Sequence, residues 1–298
     1  MPSPYRHLCI EGAAMRGTIS VVRVQFSRLL AKKEFWFALT ISVVIFSVAF
    51  VELCAHFLGS DRGAIPSAAT AWVANMDNLL IFSIHLYFFL IIFILSSMAF
   101  GDAALLDFRS RQVEHFLSRC SARTYIVSTA LVAFAAGFLV VAIPLSLFQV
   151  LSFVVFPAFS DPWSFSGNLL STLQDYTWIR LNARGALFFD LMYEMPYVYN
   201  LIFILYDSIW GGLSAVVSVA LSCCIRKSRL FVVGAPTFLY LLVFFLFGGM
   251  LPLQYYLYPN TLYVPLSMPF FVIAPIAVGL SAFAVILAKS SKRGDLLL

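Results

Sequence analysis

Six long apolar runs, separated by shorter polar segments, constrain this sequence more than any other feature. A helix needs about 20 mainly apolar residues to cross the hydrocarbon core of a bilayer, and every run is at least that long. Only 11% of the 298 residues are charged, against roughly 25% in a soluble domain. We therefore predict an all-α, polytopic membrane protein with six transmembrane helices. The predicted spans are residues 36–58, 79–100, 125–157, 199–225, 230–251 and 268–288.

The positions of the basic residues predict the orientation of these spans. Sixteen of the 19 Lys and Arg residues precede the first span, follow the sixth, or lie between spans two and three or four and five. The exceptions are Arg62, Arg180 and Arg184. Because Lys and Arg favour the cytoplasmic side, we expect both termini in the cytosol and the chain in the cytoplasmic (inner) membrane. The net charge of +5 follows from this topology and does not require a nucleic acid partner.

Residues 1–35 form a polar lead-in, separate from the six-helix membrane domain of residues 36–298. Within it, an apolar helical face predicts a helix that lies in the membrane interface, against lipid. Arg28 and Lys32 lie mostly off that face, where we expect them among anionic head groups. An ordinary basic lead-in to the first span fits the periodicity equally well. The residues of the apolar face are Ile19, Val22, Phe26, Leu29 and Leu30.

A charged segment between the second and third spans predicts a short amphipathic helix on the cytosolic side. Its apolar residues Val113, Phe116 and Leu117 have helical i, i+3, i+4 spacing. Such a helix is suited to receive movement from a soluble partner and to pass it to the membrane domain. We expect no nucleotide site on this chain, since Gly12–Thr18 has the glycine spacing of a phosphate loop but lacks its lysine.

The fourth span carries a stripe of small and polar residues that includes Asn200, Asp207 and Ser214. Such stripes are typical of helix packing in membranes, but an acid at mid-span is costly and often faces a cavity. We treat these three residues as a weak candidate substrate pathway and leave both interpretations of Asp207 open. The His residues are few and widely separated, and we expect neither a metal site nor catalytic residues.

Two external segments have a distinct character. Residues 158–198 are rich in aromatic side chains, which predicts helices at the outer interface. Residues 248–260 are apolar but interrupted by Pro252 and Pro259, which predicts a re-entrant hairpin. None of the five cysteines falls in an external loop, and we expect no disulfide.

The layout resembles that of a type-2 ABC transporter permease, the membrane subunit of many bacterial exporters. In that family the segment between spans two and three runs acid-aromatic, Gly-Thr, a leucine-rich turn with Ser-Arg-Pro, then Arg, an aromatic and Lys. The matching residues here are Asp107, Phe108, Leu117, Ser118, Arg119, Arg123 and Tyr125. The departures are Arg111 and Gln112 in place of Gly-Thr, Cys120 in place of Pro, and Thr129 in place of Lys.

The resemblance implies an ATP-driven exporter in which a separate ATP-binding subunit docks on this segment. The chain would be a transport subunit rather than an enzyme, with no cofactor of its own and with ATP on the partner. A second permease copy, or a related permease, would complete a dimer around an amphipathic, peptide- or lipid-like substrate. The implied coupling residues are Asp107, Phe108, Arg109, Glu114, Phe116, Leu117, Arg119 and Arg123. The alternatives are a secondary transporter and a regulatory membrane subunit without transport.

Overall fold

The computed structural model describes residues 18–60, 65–72, 87–158, 187–188, 191, 194–225, 228–246, 253–257 and 267–290. Every regular element within these ranges is helical, so the described chain is all-α. A π-helical turn, Tyr87–Ile91, leads directly into α3. The α-helices are α1 (Thr18–Ala31), α2 (Lys33–His56), α3 (Ile92–Phe100), α4 (Ala103–Arg109), α5 (Gln112–Leu117), α6 (Ala122–Val155), α7 (Pro196–Ser222), α8 (Arg229–Leu246), α9 (Leu253–Leu257) and α10 (Met268–Ser290).

Four helices, α2, α6, α7 and α10, are long and apolar enough to cross a membrane. The described residues are therefore those of a multi-pass membrane protein. These helices correspond to the first, third, fourth and sixth predicted spans. The fifth predicted span overlaps α8, whose apolar part is shorter, and the first eight residues of the second span lie outside the described ranges. The count of six spans stays a prediction.

Other predictions fall largely outside the described residues. These include the aromatic segment 158–198, apart from a few positions and the start of α7. In the proposed re-entrant segment 248–260, the structure describes only the short helix α9. The Gly12–Gly17 stretch also precedes the first described residue.

The long helix α6 is the centre of the bundle. It packs against α1, α2, α3 and α7, and its interface with α7 is the largest between any two described elements. Helices α8 and α10 both pack on α7 but make little contact with each other. The ends of α1, α2, α3, α6, α7, α8 and α10 meet at one end of the bundle, beside α4 and α5. We call this the hairpin end.

Two glycines allow α6 and α7 to approach closely, as small residues do in membrane helix pairs. A Cβ atom on Gly137 would lie 2.4 Å from the Gly211 carbonyl oxygen, and one on Gly211 would lie 2.7 Å from the Gly137 oxygen. Both contacts are with backbone, which cannot move aside as a flexible side chain can. The absence of side chains at 137 and 211 therefore sets the separation of the two central helices.

Gly137→Ala is expected to destabilise the protein by about 1–3 kcal/mol, the usual range for overpacking a well-filled interior. Gly234→Ala in α8 is the matched control, because its added Cβ would have no atom within 4 Å apart from its chain neighbours and the adjacent backbone of its own helix. That control is expected to be neutral or slightly stabilising, since Ala is the better helix former. Thermal unfolding in detergent measures both effects. Equal unfolding temperatures for the two variants would contradict the close approach.

Candidate functional site

The segment between α3 and α6 folds into a helical hairpin, α4 and α5, with Ser110 and Arg111 at the bend. Arg111 has a φ of 57°, in the left-handed region, which costs a non-glycine residue about 1–2 kcal/mol. Val113 and Leu117 of α5 are buried, as their helical spacing predicts. The Ser121 hydroxyl then accepts a hydrogen bond from the Thr124 backbone N–H at 3.1 Å and caps the start of α6.

Asp107, at the end of α4, is held by partners from two other helices. Its side chain is 1% exposed and forms a two-point ion pair with the Arg28 guanidinium of α1. Arg28 Nη1 donates to Oδ2 at 2.8 Å, and the Tyr125 hydroxyl of α6 donates to the same oxygen at 2.6 Å. A buried carboxylate is stable only when its lone pairs are satisfied. The Asp107 cluster therefore fixes α1 and α6 to the hairpin.

The neighbours of Arg28 complete its coordination. Its guanidinium also donates to the side-chain oxygens of Gln25 at 2.9 Å and Gln112 at 3.3 Å, and lies 5.4 Å from the centre of the Phe116 ring. The Phe116 ring in turn packs against Tyr125, with centroids 5.2 Å apart. Ionic and aromatic contacts thus both join α1 and α6 to the hairpin.

A second buried carboxylate, Asp102, ties down two further parts of the bundle. It is fully buried at the start of the hairpin and pairs with Lys32, which lies between α1 and α2. The Arg229 Nε atom of α8 donates to its Oδ2 atom at 2.5 Å, and Nη2 of Arg229 donates to Glu34 of α2 at 2.7 Å. This cluster joins the hairpin to α2 and α8.

The eight predicted coupling residues separate into two sets. In the first set, Asp107 and Leu117 are buried, and Phe108 and Phe116 are partly buried against the core. The other four side chains are exposed on the hairpin and the start of α6, where a second protein can reach them. These exposed residues are Arg109, Glu114, Arg119 and Arg123. Because Asp107 is buried, its contacts are with residues of its own chain. The docking role of the four exposed residues stays a prediction.

A recess of about 480 Å³ lies between the hairpin and α10. It is lined by residues 117–123 together with Ser290. Burial raises the pKa of the Cys120 thiol in its wall, so the thiol stays protonated at neutral pH. The Sγ atom donates to the Phe116 carbonyl oxygen at 3.2 Å.

The positions that depart from the family pattern have local structural roles here. Arg111 adopts the left-handed conformation that glycine adopts without strain, and Gln112 accepts a hydrogen bond from Arg28. Thr129 accepts one from Gln25 of α1 at 3.3 Å. Gln112 and Thr129 therefore add to the attachment between α1 and its neighbours.

The three predicted pathway residues do not form one site. They follow each other at seven-residue intervals, or about 10 Å along α7. Asn200 donates to the Ala69 carbonyl oxygen at 2.9 Å and to Gln149 Oε1 at 2.8 Å, which fastens a loop at the end opposite the hairpin. The Ser214 hydroxyl lies 3.1 Å from both Ser97 Oγ and the Phe93 carbonyl oxygen. The buried Asp207 carboxyl has no hydrogen-bond partner among the described residues.

The main residues that sequence reasoning missed are the partners of the two carboxylates. We expected Arg28 and Lys32 among lipid head groups, but their side chains are only 18% and 12% exposed and are paired with Asp107 and Asp102. That expectation is wrong because two buried acids provide closer anions than the membrane surface does. The sequence shows basic and acidic residues near the ends of the predicted spans, but nothing in it selects which of them pair. The missed partners are Arg28, Lys32 and Arg229, together with Gln25 and Glu34, which bond to Arg28 and Arg229 in turn.

In the part of the chain that the structure describes, no cluster of three or more His, Cys, Asp or Glu side chains could hold a metal ion. The fold and the site together define an all-α, multi-pass membrane protein with a charged hairpin joined to its bundle by buried ion pairs. Comparisons with protein-family models, curated proteins and solved structures return no match.

Arg28→Ala is expected to cost about 3 kcal/mol, because it leaves the Asp107 carboxylate buried without its counter-charge. Asp107→Ala is expected to cost less, since Arg28 is partly exposed and keeps its two glutamine partners. The double variant should cost less than the sum of the two. Thermal unfolding in detergent tests this, with the exposed Arg123→Ala as the control that should change stability little. Strictly additive effects would show that the pair does not interact.

Substitutions at the bend are expected to follow the left-handed backbone of Arg111. Arg111→Gly should be at least as stable as the parent, since glycine adopts this conformation without strain. Arg111→Val should be destabilised by about 1–3 kcal/mol, because a β-branched residue is poorly accommodated at positive φ. Thermal unfolding of the two variants side by side measures the difference. A valine variant as stable as the glycine variant would contradict the assigned bend.

Proposed function

We propose that this chain is the permease subunit of an ATP-driven exporter in the cytoplasmic membrane. The observation that carries the proposal is the hairpin α4–α5, which has exposed charges on one side and buried ion pairs to the bundle on the other. A segment that passes the movement of a soluble subunit to the membrane helices needs both an accessible surface and a firm attachment to those helices. In this proposal six spans cross the membrane with both termini in the cytosol, and the hairpin end faces the cytosol.

The energies of the two sets of contacts suit this role. Exposed ion pairs are each worth roughly 0.2–1 kcal/mol, so contacts through Arg109, Glu114, Arg119 and Arg123 can form and break during a cycle. Removing one partner of a buried ion pair costs about 3–5 kcal/mol. The hairpin would therefore stay attached to α1, α2, α6 and α8 while the docked subunit moves it. ATP binding and hydrolysis take place on that partner subunit, and this chain supplies no cofactor.

Helix α1 is well suited to lie in the membrane interface. Its Val21, Gln25 and Leu29 side chains are buried, while Ile19 and Leu30 are among the exposed apolar residues. A helix with one face on protein and both apolar and polar side chains exposed on the rest is stabilised at the boundary between lipid and water. Movement of the hairpin would then shift a membrane-bound helix as well as the bundle.

A single copy has too few helices to enclose a transport path, so we infer a dimer with a second copy or a related permease. The 31 Phe residues favour an amphipathic, peptide- or lipid-like substrate over a sugar or an ion. The substrate would cross between the two permeases.

Asp207 favours a second candidate, an ion-coupled secondary transporter. An intramembrane acid is usually retained for a pathway or a proton relay, and this one lacks a hydrogen-bond partner among the described residues. Transport driven by an ion gradient without ATP, and lost in Asp207→Asn, would support this candidate over the exporter.

The exporter proposal predicts that a P-loop ATPase co-purifies with the tagged full-length chain from its native membranes. Mass spectrometry identifies the ATPase, and its turnover is measured after reconstitution of the complex. Combined Arg119→Glu and Arg123→Glu changes should strongly reduce both co-purification and stimulated turnover, because they reverse the charge of the docking surface. Glu52→Ala is the control, since Glu52 is an exposed charge near the opposite end of α2.

Two results would contradict the proposal. One is the recovery of the chain without an ATPase under conditions that preserve its dimer. The other is an ATPase complex whose assembly and turnover are unchanged by the charge reversals. A non-transporting regulatory subunit would instead bind a partner protein without moving any substrate in vesicles.

A further inference from the structure

A cleft of about 510 Å³ lies between α7, α8 and α10, away from the hairpin and its ion pairs. Its floor is α7, and its two sides are α8 and α10, which make little contact with each other. Phe93 of α3 and Leu253 of α9 also contribute to its wall. Most of the lining is aliphatic or aromatic, with few polar groups. Ligand sites in proteins have this volume and character.

Small residues on α10 create the space. Helix α10 lies close to α7 at Gly279, where an added Cβ would come within 3.3 Å of Leu213 Cδ2. On the part of α10 that lines the cleft, Ala274, Ala277 and Ser281 are too short to reach α8. The close approach of α10 to α7 and the short side chains of α10 in the cleft leave a gap between α10 and α8.

The cleft is long and narrow. Its lining on α10 extends from Phe270 to Val285, which is about 22 Å along the helix axis. A volume of about 510 Å³ spread over that length leaves a slender space, which suits an extended hydrocarbon chain better than a compact ligand.

The cleft opens where hydrocarbon is available. Leu239 and Val243 of α8 and Val285 of α10 line it and are each more than a third exposed. They belong to apolar segments of α8 and α10, so the opening faces the bilayer core instead of water. An empty apolar cleft would leave its lining atoms without dispersion partners, whereas a lipid chain supplies them.

We propose that this cleft binds a single hydrocarbon chain of a membrane lipid. The bound chain lies along α7 between α8 and α10 and separates the two helices. The proposal requires only that these helices lie in the membrane. It is therefore independent of whether the protein is an exporter subunit.

Trp210 provides an internal reporter of occupancy. Its side chain is only 6% exposed and lines the cleft, so its indole ring meets a lipid chain only if that chain enters. Trp72 is the internal control, because it is fully buried outside the cleft with its Nε1 atom donating to the Leu145 carbonyl oxygen.

The experiment uses two full-length variants that retain Trp210 or Trp72 as the only tryptophan, with the others changed to Phe. Each is reconstituted in phosphatidylcholine vesicles whose acyl chains are brominated or unmodified. Bromine in contact with an indole quenches its fluorescence. We expect brominated chains to at least halve the Trp210 signal and to leave the Trp72 signal nearly unchanged.

A pair of filling variants locates the bound chain. Ala277→Phe places a large side chain in the cleft, whereas Ala284→Phe adds the same side chain at an exposed position of α10 outside it. Quenching of Trp210 should fall to near the Trp72 level in the first variant and persist in the second. Size-exclusion elution and circular dichroism of both variants are compared with the parent to establish that they fold.

Two outcomes would overturn the proposal. The first is an unquenched Trp210 in the parent, and crosslinking between copies through Leu239→Cys would then show that a second copy of this chain covers the cleft. The second is quenching that Ala277→Phe does not reduce in a folded protein.

Discussion

Two acidic side chains buried at one end of the bundle determine how its parts are joined. Asp102 and Asp107 both belong to the connection between α3 and α6, and each is surrounded by donors from other elements. Since an unpaired charge is very costly in such a place, Arg28, Lys32 and Arg229 must remain close to these acids whenever the fold is intact. The arrangement of α1, α2, α6 and α8 at this end therefore depends on charge compensation as well as on apolar contact, which bilayer helices can also make with lipid.

The rest of the bundle is organised around two different kinds of packing. The α6–α7 interface is tight because glycines bring one backbone against the other. The outer pair α8 and α10 rests on α7 with a gap between them. A stiff centre and a loosely closed side are compatible in a membrane, because lipid fills spaces that in water would be costly cavities.

The long helices were predictable because hydrophobic length determines them. The predicted spans 125–157, 199–225 and 268–288 match α6, α7 and α10 to within about three residues at each end. The short helix α5 also follows from the spacing of Val113, Phe116 and Leu117. The ion pairs were not predictable, since Arg28 and Asp107 are 79 residues apart and Asp102 and Arg229 are 127 apart, and no local pattern selects such partners. Asp107 is an example: its charge predicted a contact with a partner at the surface, whereas the structure shows that it is buried.

Helix α6 has 34 residues, or about 51 Å, while the hydrocarbon core of a bilayer is only about 30 Å thick. Its first turns hold Tyr125 and Thr129 against the Asp107 cluster and Gln25, and about 36 Å further along the axis Gln149 donates to the Ala68 carbonyl oxygen of the loop at the other end. One helix therefore bears the anchors of both ends, with Pro144 inside it between them. A tilt imposed at the hairpin end would also displace the loop at the opposite end, because both are fastened to the same helix.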